Sequence, residues 1–312
     1  MSDFFLKFNL PKPEFTINHS HKLTFLGSCF SDEISNRASE SGFHVLSNPF
    51  GTIYHPFALA KNILDSIDRN TNFPLFERDG LFFSWDASTK ISAKSRGELE
   101  ERIVTKNIQL LDHLSQPGVL FITFGTAHIY KVKSEHRFVA NCHKQPGNLF
   151  DKEISSVESI VELWQDILSK LWQINPDLKL VFTVSPVRHI RDGIIENNRS
   201  KARLVQAVEE LVKLNNVDYF PSYEIVMDEL RDYRFFKEDR VHPSEEAVNY
   251  IWKRFSESYF NDHTQSIVLE LSKIRKRIAH RSVQKFDLDV KTLKSMEFFQ
   301  NEFPWVNWIV EK

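Results

Sequence analysis

The run Val119-Leu-Phe-Ile-Thr-Phe124 constrains the fold more than any other stretch of this chain. It offers no polar face, so a strand formed here must be covered on both sides, as in the interior of a parallel sheet. Gly125 ends the run and Thr126-Ala-His128 follows. Three other apolar segments, over 22–27, 43–46 and 178–184, read the same way. They deliver Gly27-Ser-Cys29, Asn48-Pro-Phe-Gly51 and Ser185-Pro-Val-Arg-His189. Helical periodicity fills the intervals: about 32–41, closed by Gly42, from His55-Pro56 onward, about 97–114, 155–172 and 199–214, and from Pro243-Ser-Glu-Glu246 onward. A short strand is expected near 217–220. Strands alternating with helices predict an α/β protein with a doubly wound parallel sheet. In such sheets ligands bind beyond the carboxyl ends of the strands, so these loops should converge on one edge.

Hairpin insertions are expected near 73–86, around Asp79-Gly80, and near 129–141. The α/β body should span 1–262, with a C-terminal helical extension over 263–312. Within it, a helix over 264–284 carries Lys273, Arg275, Lys276, Arg277, His280 and Arg281. These read as a solvated basic face rather than a nucleic-acid site. The closing Phe298-Phe299 and Phe303-Pro-Trp-Val-Asn-Trp-Ile-Val310 are too apolar for a free tail. They should pack on the body or, in a homodimer, on a second subunit.

With 312 residues and 41% hydrophobic content the chain suits one large domain with an appendage. A net charge of -2 supplies no bulk attraction to nucleic acid or anionic membrane. The two cysteines, Cys29 and Cys142, make no disulfide framework. No apolar run reaches the roughly 18 residues of a membrane span. The opening residues lack the basic and long apolar regions of a secretory signal, so a cytoplasmic protein is expected.

Acyl transfer needs a nucleophile, a base, a group that orients the base, and an oxyanion hole. The turn after the first strand offers Ser28 or Cys29. Asp239 and His242, three residues apart, can set the carboxylate behind the imidazole. The N–H groups after Gly27, with that of Gly51, are candidate oxyanion donors, and Asn141 or Thr126 could add a side-chain donor. His128, His143 and His189 either line the site or are structural. Arg188 and Lys144 are candidates for an anionic substrate group or ordinary surface charge. A zinc-type set of Cys29, Cys142, His143 and His242 is a metal or redox alternative, although no local Cys-x-x-Cys or His-x₃-His spacing accompanies it.

Gly27-Ser-Cys-Phe-Ser31 resembles the signature of the GSCFA domain family, whose members resemble the SGNH (GDSL-like) hydrolases. The resemblance continues through Asn48-Pro-Phe-Gly-Thr52, Phe124-Gly-Thr-Ala-His-Ile-Tyr130, Asn141-Cys-His-Lys144, Ser185-Pro-Val-Arg-His189 and Asp239-x-x-His242. It implies a flavodoxin-like three-layer α/β/α sandwich with strand order 2-1-3-4-5. By analogy with the superfamily it implies hydrolase (esterase) or acyltransferase chemistry on an oxygen ester, such as a carbohydrate-linked acetyl, with no cofactor. In the wider superfamily the nucleophilic serine stands two places after the strand-end glycine. That count lands on Cys29, whereas Ser28 is the nucleophile if the turn has shifted by one residue. The superfamily's glycine-x-asparagine block has Ala127 at the asparagine position, which turns the search for an oxyanion donor to Asn141. A binding or scaffold protein without catalysis is the competing class.

Overall fold

The computed structural model describes residues 6–281 and 290–308. Its centre is a five-stranded, all-parallel sheet of β1 (Lys22–Gly27), β2 (His44–Ser47), β3 (Gly118–Phe124), β4 (Lys179–Val184) and β5 (Val217–Tyr219). The strands lie in the order 2-1-3-4-5. Every residue of β3 is buried, as its near-continuous apolarity requires. Leu120, Ile122 and Phe124 point into one helical layer and Val119 and Phe121 into the other, by the two-residue period of a strand.

The first layer consists of α2 (Pro56–Ile67), α3 (Arg96–Leu114), α4 (Val157–Ile174) and α5 (Ile194–Leu211). The second holds α1 (Cys29–Glu40) and α6 (Glu245–Tyr259). The result is a three-layer α/β/α sandwich. Parallel register, with Gly27 beside Thr123 and Phe124 beside Val184, brings the carboxyl ends of β1, β3 and β4 to one edge.

Two small antiparallel sheets decorate this body. One contains Leu75–Arg78, Leu81–Ser84 and Ser92–Ala93. The other contains His128–Val132, Arg137–Val139 and Phe150–Ile154. The last strand is not legible in Phe150-Asp-Lys-Glu-Ile154, whose middle residues are charged and exposed. It exists because its backbone pairs with His128–Val132. Two helices start earlier than their periodicity indicates. α5 begins at Ile194 rather than near 199, and α1 begins at Cys29 rather than Asp32, because Ser28 caps it.

Beyond the sandwich, α7 (Asp262–Arg281) and α8 (Val290–Glu302) bury Ile267, Leu271, Ile274, Phe299 and Val306 together. Lys273, Lys276 and Arg277 are exposed on α7, while the side chains of His280 and Arg281, like Ile309 and Val310, lie outside the described residues. The closing segment returns to the same chain: Asn307 N–H donates to the Gly42 carbonyl at 2.8 Å. Phe298 and Trp305 remain exposed. Among the described residues no helix is long and apolar enough to cross a membrane.

Candidate active site

The turn leaving β1 is locked from several sides. Gly27 N–H donates to Asn48 Oδ1 at 2.8 Å, and Ile53 N–H donates to the Gly27 carbonyl at 2.9 Å. Asn48 Nδ2 in turn donates to Asp32 Oδ1 at 2.6 Å. A side chain at Gly27 would place its Cβ 2.4 Å from the Thr123 carbonyl oxygen, so only glycine lets β1 and β3 approach here. Ser28 is buried. Its hydroxyl donates to Ser185 Oγ at 3.0 Å and accepts the Phe30 N–H at 3.3 Å as the N-cap of α1. Cys29 is the first helical residue and is partly exposed. Its backbone N–H therefore has no intrahelical acceptor and sits at the positive end of the helix. Burial and the nearby Asp32 carboxylate push the thiol above its ordinary value, opposed by the N–H groups of Phe30 and Cys29 itself.

Asp239 and His242 sit on the loop before α6. Asp239 Oδ2 is 2.6 Å from His242 Nδ1, while Oδ1 accepts the N–H groups of Val241 at 2.9 Å and His242 at 3.0 Å. Those backbone donors, followed by the imidazole, hold the Asp239 carboxyl far below the usual carboxylate range. With Nδ1 committed to Asp239, Nε2 is the nitrogen left for proton transfer. This loop is tied to the β1 turn's helix, since Lys237 Nζ pairs with Glu33 Oε1 of α1 at 2.9 Å. The Arg188 guanidinium lies over Phe236 at 4.6 Å and Tyr233 at 5.6 Å and reaches the Arg240 carbonyl at 3.4 Å, bracing the Asp239–His242 loop.

The other sequence candidates divide. A cavity of about 440 Å³ is lined by Tyr54, Thr126, His128, Asn141, Lys144 and His189, among others. His189 packs edge-on against Tyr54 at 5.1 Å, and burial, then the charge of Lys201, lowers it to about 4. Burial likewise lowers His128, whose Nε2 is enclosed with no hydrogen-bond partner among the described residues, the Glu196 carboxylate lying 4.0 Å away. Asn141 lines the cavity, and its Oδ1 accepts the His143 N–H at 2.7 Å. Thr126 is less free: its hydroxyl contacts Ser200 Oγ at 3.1 Å and accepts the His128 N–H.

His143 and Gly51 take structural positions. His143 is buried beside Phe76, Phe83 and Trp85, with Nε2 2.8 Å from the Ser84 carbonyl, and burial lowers it to about 4. Gly51 N–H donates to the Asn48 carbonyl at 2.7 Å in a turn, so it is directed away from an oxyanion. Its φ of 76° and the Ser88 hydroxyl against its α-carbon explain the glycine. The suggested zinc-type set is not gathered. Among the described residues no group of three or more His, Cys, Asp or Glu side chains is placed to hold a metal.

Sequence reasoning missed Lys201, Ser185, Tyr54 and His55. Lys201 is fully buried on α5 and donates to the Gly125 and Ser185 carbonyls at 2.7 and 2.6 Å. A lysine amid Asn197, Ser200 and Leu204 carried a signal only in hindsight, because that face of α5 is otherwise buried.

This arrangement places a strand-end glycine turn, the Asn48–Gly51 loop and an Asp-x-x-His pair around one sheet edge, in the order of the family motifs. The GSCFA family model matches residues 22–255. The chain belongs to the GSCFA family. No curated protein sequence matches this GSCFA chain. Among solved structures, it is similar to a carbohydrate esterase family 3 protein from Talaromyces cellulolyticus. The two share 11% identity with a TM-score of 0.37, over 79% of this chain and 98% of that one. It is also similar to the acetyl xylan esterase Est2A from the rumen bacterium Butyrivibrio proteoclasticus. Here identity is 13% and the TM-score 0.41, over 77% of this chain and 63% of that one.

Proposed function

We propose that this GSCFA protein is an SGNH-like hydrolase or acyltransferase that moves an acyl group from an oxygen ester through Cys29. The Cys29 sulfur attacks the ester carbonyl while its proton passes to His242 Nε2, which Asp239 orients through Nδ1. The Cys29 N–H, free at the first position of α1, is the oxyanion donor closest to the new bond. Collapse of the tetrahedral adduct breaks the carbonyl–alkoxide bond, and the imidazolium returns its proton to the departing alkoxide. A thioester on Cys29 remains. Water or a second hydroxyl then attacks the thioester, again losing its proton to His242, and the thiol is released. The cavity beside Tyr54, His128, Asn141 and His189 combines aromatic faces with polar groups, which suits a small polyhydroxylated ester such as an acetylated sugar.

The observation that carries this reading is the Asp239–His242 contact of 2.6 Å, with the carboxylate further held by two backbone N–H groups. A surface histidine with no catalytic duty has little use for so complete an orienting shell. A binding protein on the same fold is the second reading. Ala127 favours it: buried, with its N–H bonded to Ser200 Oγ at 2.7 Å, it supplies no donor where the superfamily has asparagine.

Incubation with p-nitrophenyl acetate and a panel of O-acetylated sugars, followed by peptide mapping, separates the two. Acetyl trapped on Cys29, lost in Cys29→Ala and slowed in His242→Ala, is the expected result. No acetylation and no turnover across the panel, with sugar binding by calorimetry intact, would favour the binding protein.

A further inference from the structure

Two cations line the cavity of about 440 Å³ with no anion to answer them. Lys144 and Arg191 belong to different loops, and both are exposed. Among the described residues Asp192 is the single carboxylate in the lining, and it is already paired with Lys152 Nζ at 2.5 Å. Neither Lys144 nor Arg191 has a carboxylate at ion-pair distance among the described residues. Burial keeps the lining histidines His55, His128 and His189 neutral at neutral pH, so the excess positive charge belongs to Lys144 and Arg191. One wall of this cavity is tied to the nucleophile turn. Tyr54 lines it and follows Ile53, whose N–H donates to the Gly27 carbonyl at 2.9 Å.

The loop that carries Lys144 is built at a cost. His143 and Lys144 both take left-handed backbone, with φ of 48° and 55°, where a residue with a side chain is uncommon. Several bonds hold that conformation. The buried His143 ring sets Nε2 2.8 Å from the Ser84 carbonyl and Nδ1 3.3 Å from Thr89 Oγ1. The Arg78 guanidinium donates to the His143 carbonyl, and Gln145 N–H donates to the Cys142 carbonyl at 2.9 Å. Strain so thoroughly restrained is characteristic of ligand-binding loops.

We propose that Lys144 and Arg191 are specificity-determining residues that bind an anionic group, a carboxylate or a phosphate, on an O-acylated sugar. The sugar rests on the proposed function, whereas the preference for an anion is measurable as binding without turnover. An arginine offers a planar fork of donors and a lysine a point charge, and either oxyanion satisfies both.

Calorimetry at low ionic strength with glucuronic acid, glucose 6-phosphate and glucose tests the assignment. The expected result is that at least one anionic sugar binds about tenfold or more tighter than glucose. The tighter of the two identifies carboxylate or phosphate as the group. Added salt should erode the preference, because exposed charges are screened. Arg191→Gln and Lys144→Asn should each weaken it, and the double variant should abolish it; asparagine tolerates the left-handed backbone at 144. Lys213→Gln removes a charge outside the cavity and should leave the preference intact. Three results overturn the proposal: no binding of either anionic sugar or affinity equal to that for glucose, a preference that survives in the double variant, or one lost equally in Lys213→Gln. Anion-selective binding without acetylation of Cys29 would count against the hydrolase reading alone. Acetylation of Cys29 without anion selectivity would count against this one alone.

Discussion

Ser28 donates its hydroxyl to Ser185 Oγ over 3.0 Å, joining the ends of β1 and β4 past the intervening β3. The same oxygen accepts the Phe30 N–H at 3.3 Å. A serine engaged in this way fastens the turn, and under the proposed function its partly exposed neighbour Cys29 is the nucleophile.

Ser28→Ala should therefore weaken the fold more than the chemistry. Loss of an N-cap and a buried hydrogen bond costs about 1–2 kcal/mol. Urea denaturation should show that loss while Cys29 acetylation persists. Cys29→Ala should give the opposite pattern, with acetylation abolished and stability changed by less. Abolished acetylation in a folded Ser28→Ala protein would return the nucleophile to Ser28.

Asp239→Asn should lower kcat/KM by about 10²–10⁴, because the imidazole loses the partner that sets its tautomer and steadies its cation. The native carboxyl is held below its ordinary value of 3.8 by backbone donors and His242. Its contribution to stability is thus present above that value and lost as pH falls beneath it. In ¹³C NMR the Asp239 carboxyl should still be ionised at about pH 3, a shift characteristic of this hydrogen-bond shell. A carboxyl titrating at the ordinary value would argue against the shell.

Three histidines, His55 and His143 buried and His189 partly buried, predict acid sensitivity. Burial lowers His55 to about 3 and His143 and His189 to about 4, from 6.5. Below 6.5 the unfolded chain binds protons that the folded state refuses. Stability therefore rises with pH through this window and is lost as pH falls from about 6.5 to about 4. The slope should approach 1.4 kcal/mol per pH unit for each histidine, roughly the value of one proton. His143→Gln should remove about one proton from the slope of denaturation free energy against pH. An unaltered slope would show that His143 is protonated in the folded protein.

Gly27→Ala should destabilise by more than about 2 kcal/mol, since the added methyl meets the Thr123 backbone rather than a side chain that could swing aside. Gly147→Ala, where an added Cβ meets nothing within 4 Å, is the control and should be nearly neutral. Thermal denaturation of the pair measures the difference.

Much of this fold is written locally. The near-continuous apolar run of β3 reads as a covered strand, and the small residues at the ends of β1 and β3 mark where side chains leave the sheet. Asp239 and His242 were legible because three residues of chain suffice to close their contact. The strand Phe150–Ile154 was illegible because its charged residues obey its partner's backbone, not a pattern of their own. Gly51 and His143 show the limit of residue type as a guide. Both are the kinds of residue an active site uses, and packing engages both elsewhere.

The sequence by itself determined the alternation of strands and helices, the parallel sheet that follows from it, and the residues at the sheet edge that can do chemistry. These depend on periodicity and on contacts between near neighbours in the chain. Only the tertiary structure decided that Ser28 is a cap bonded to Ser185, that Arg188 braces the Asp239–His242 loop, and that Lys201 lies buried against the Gly125 and Ser185 carbonyls. Each of those facts joins segments far apart in sequence. A side chain's role there is set by which donors, acceptors and charges folding brings against it, and residue type and spacing carry no record of that.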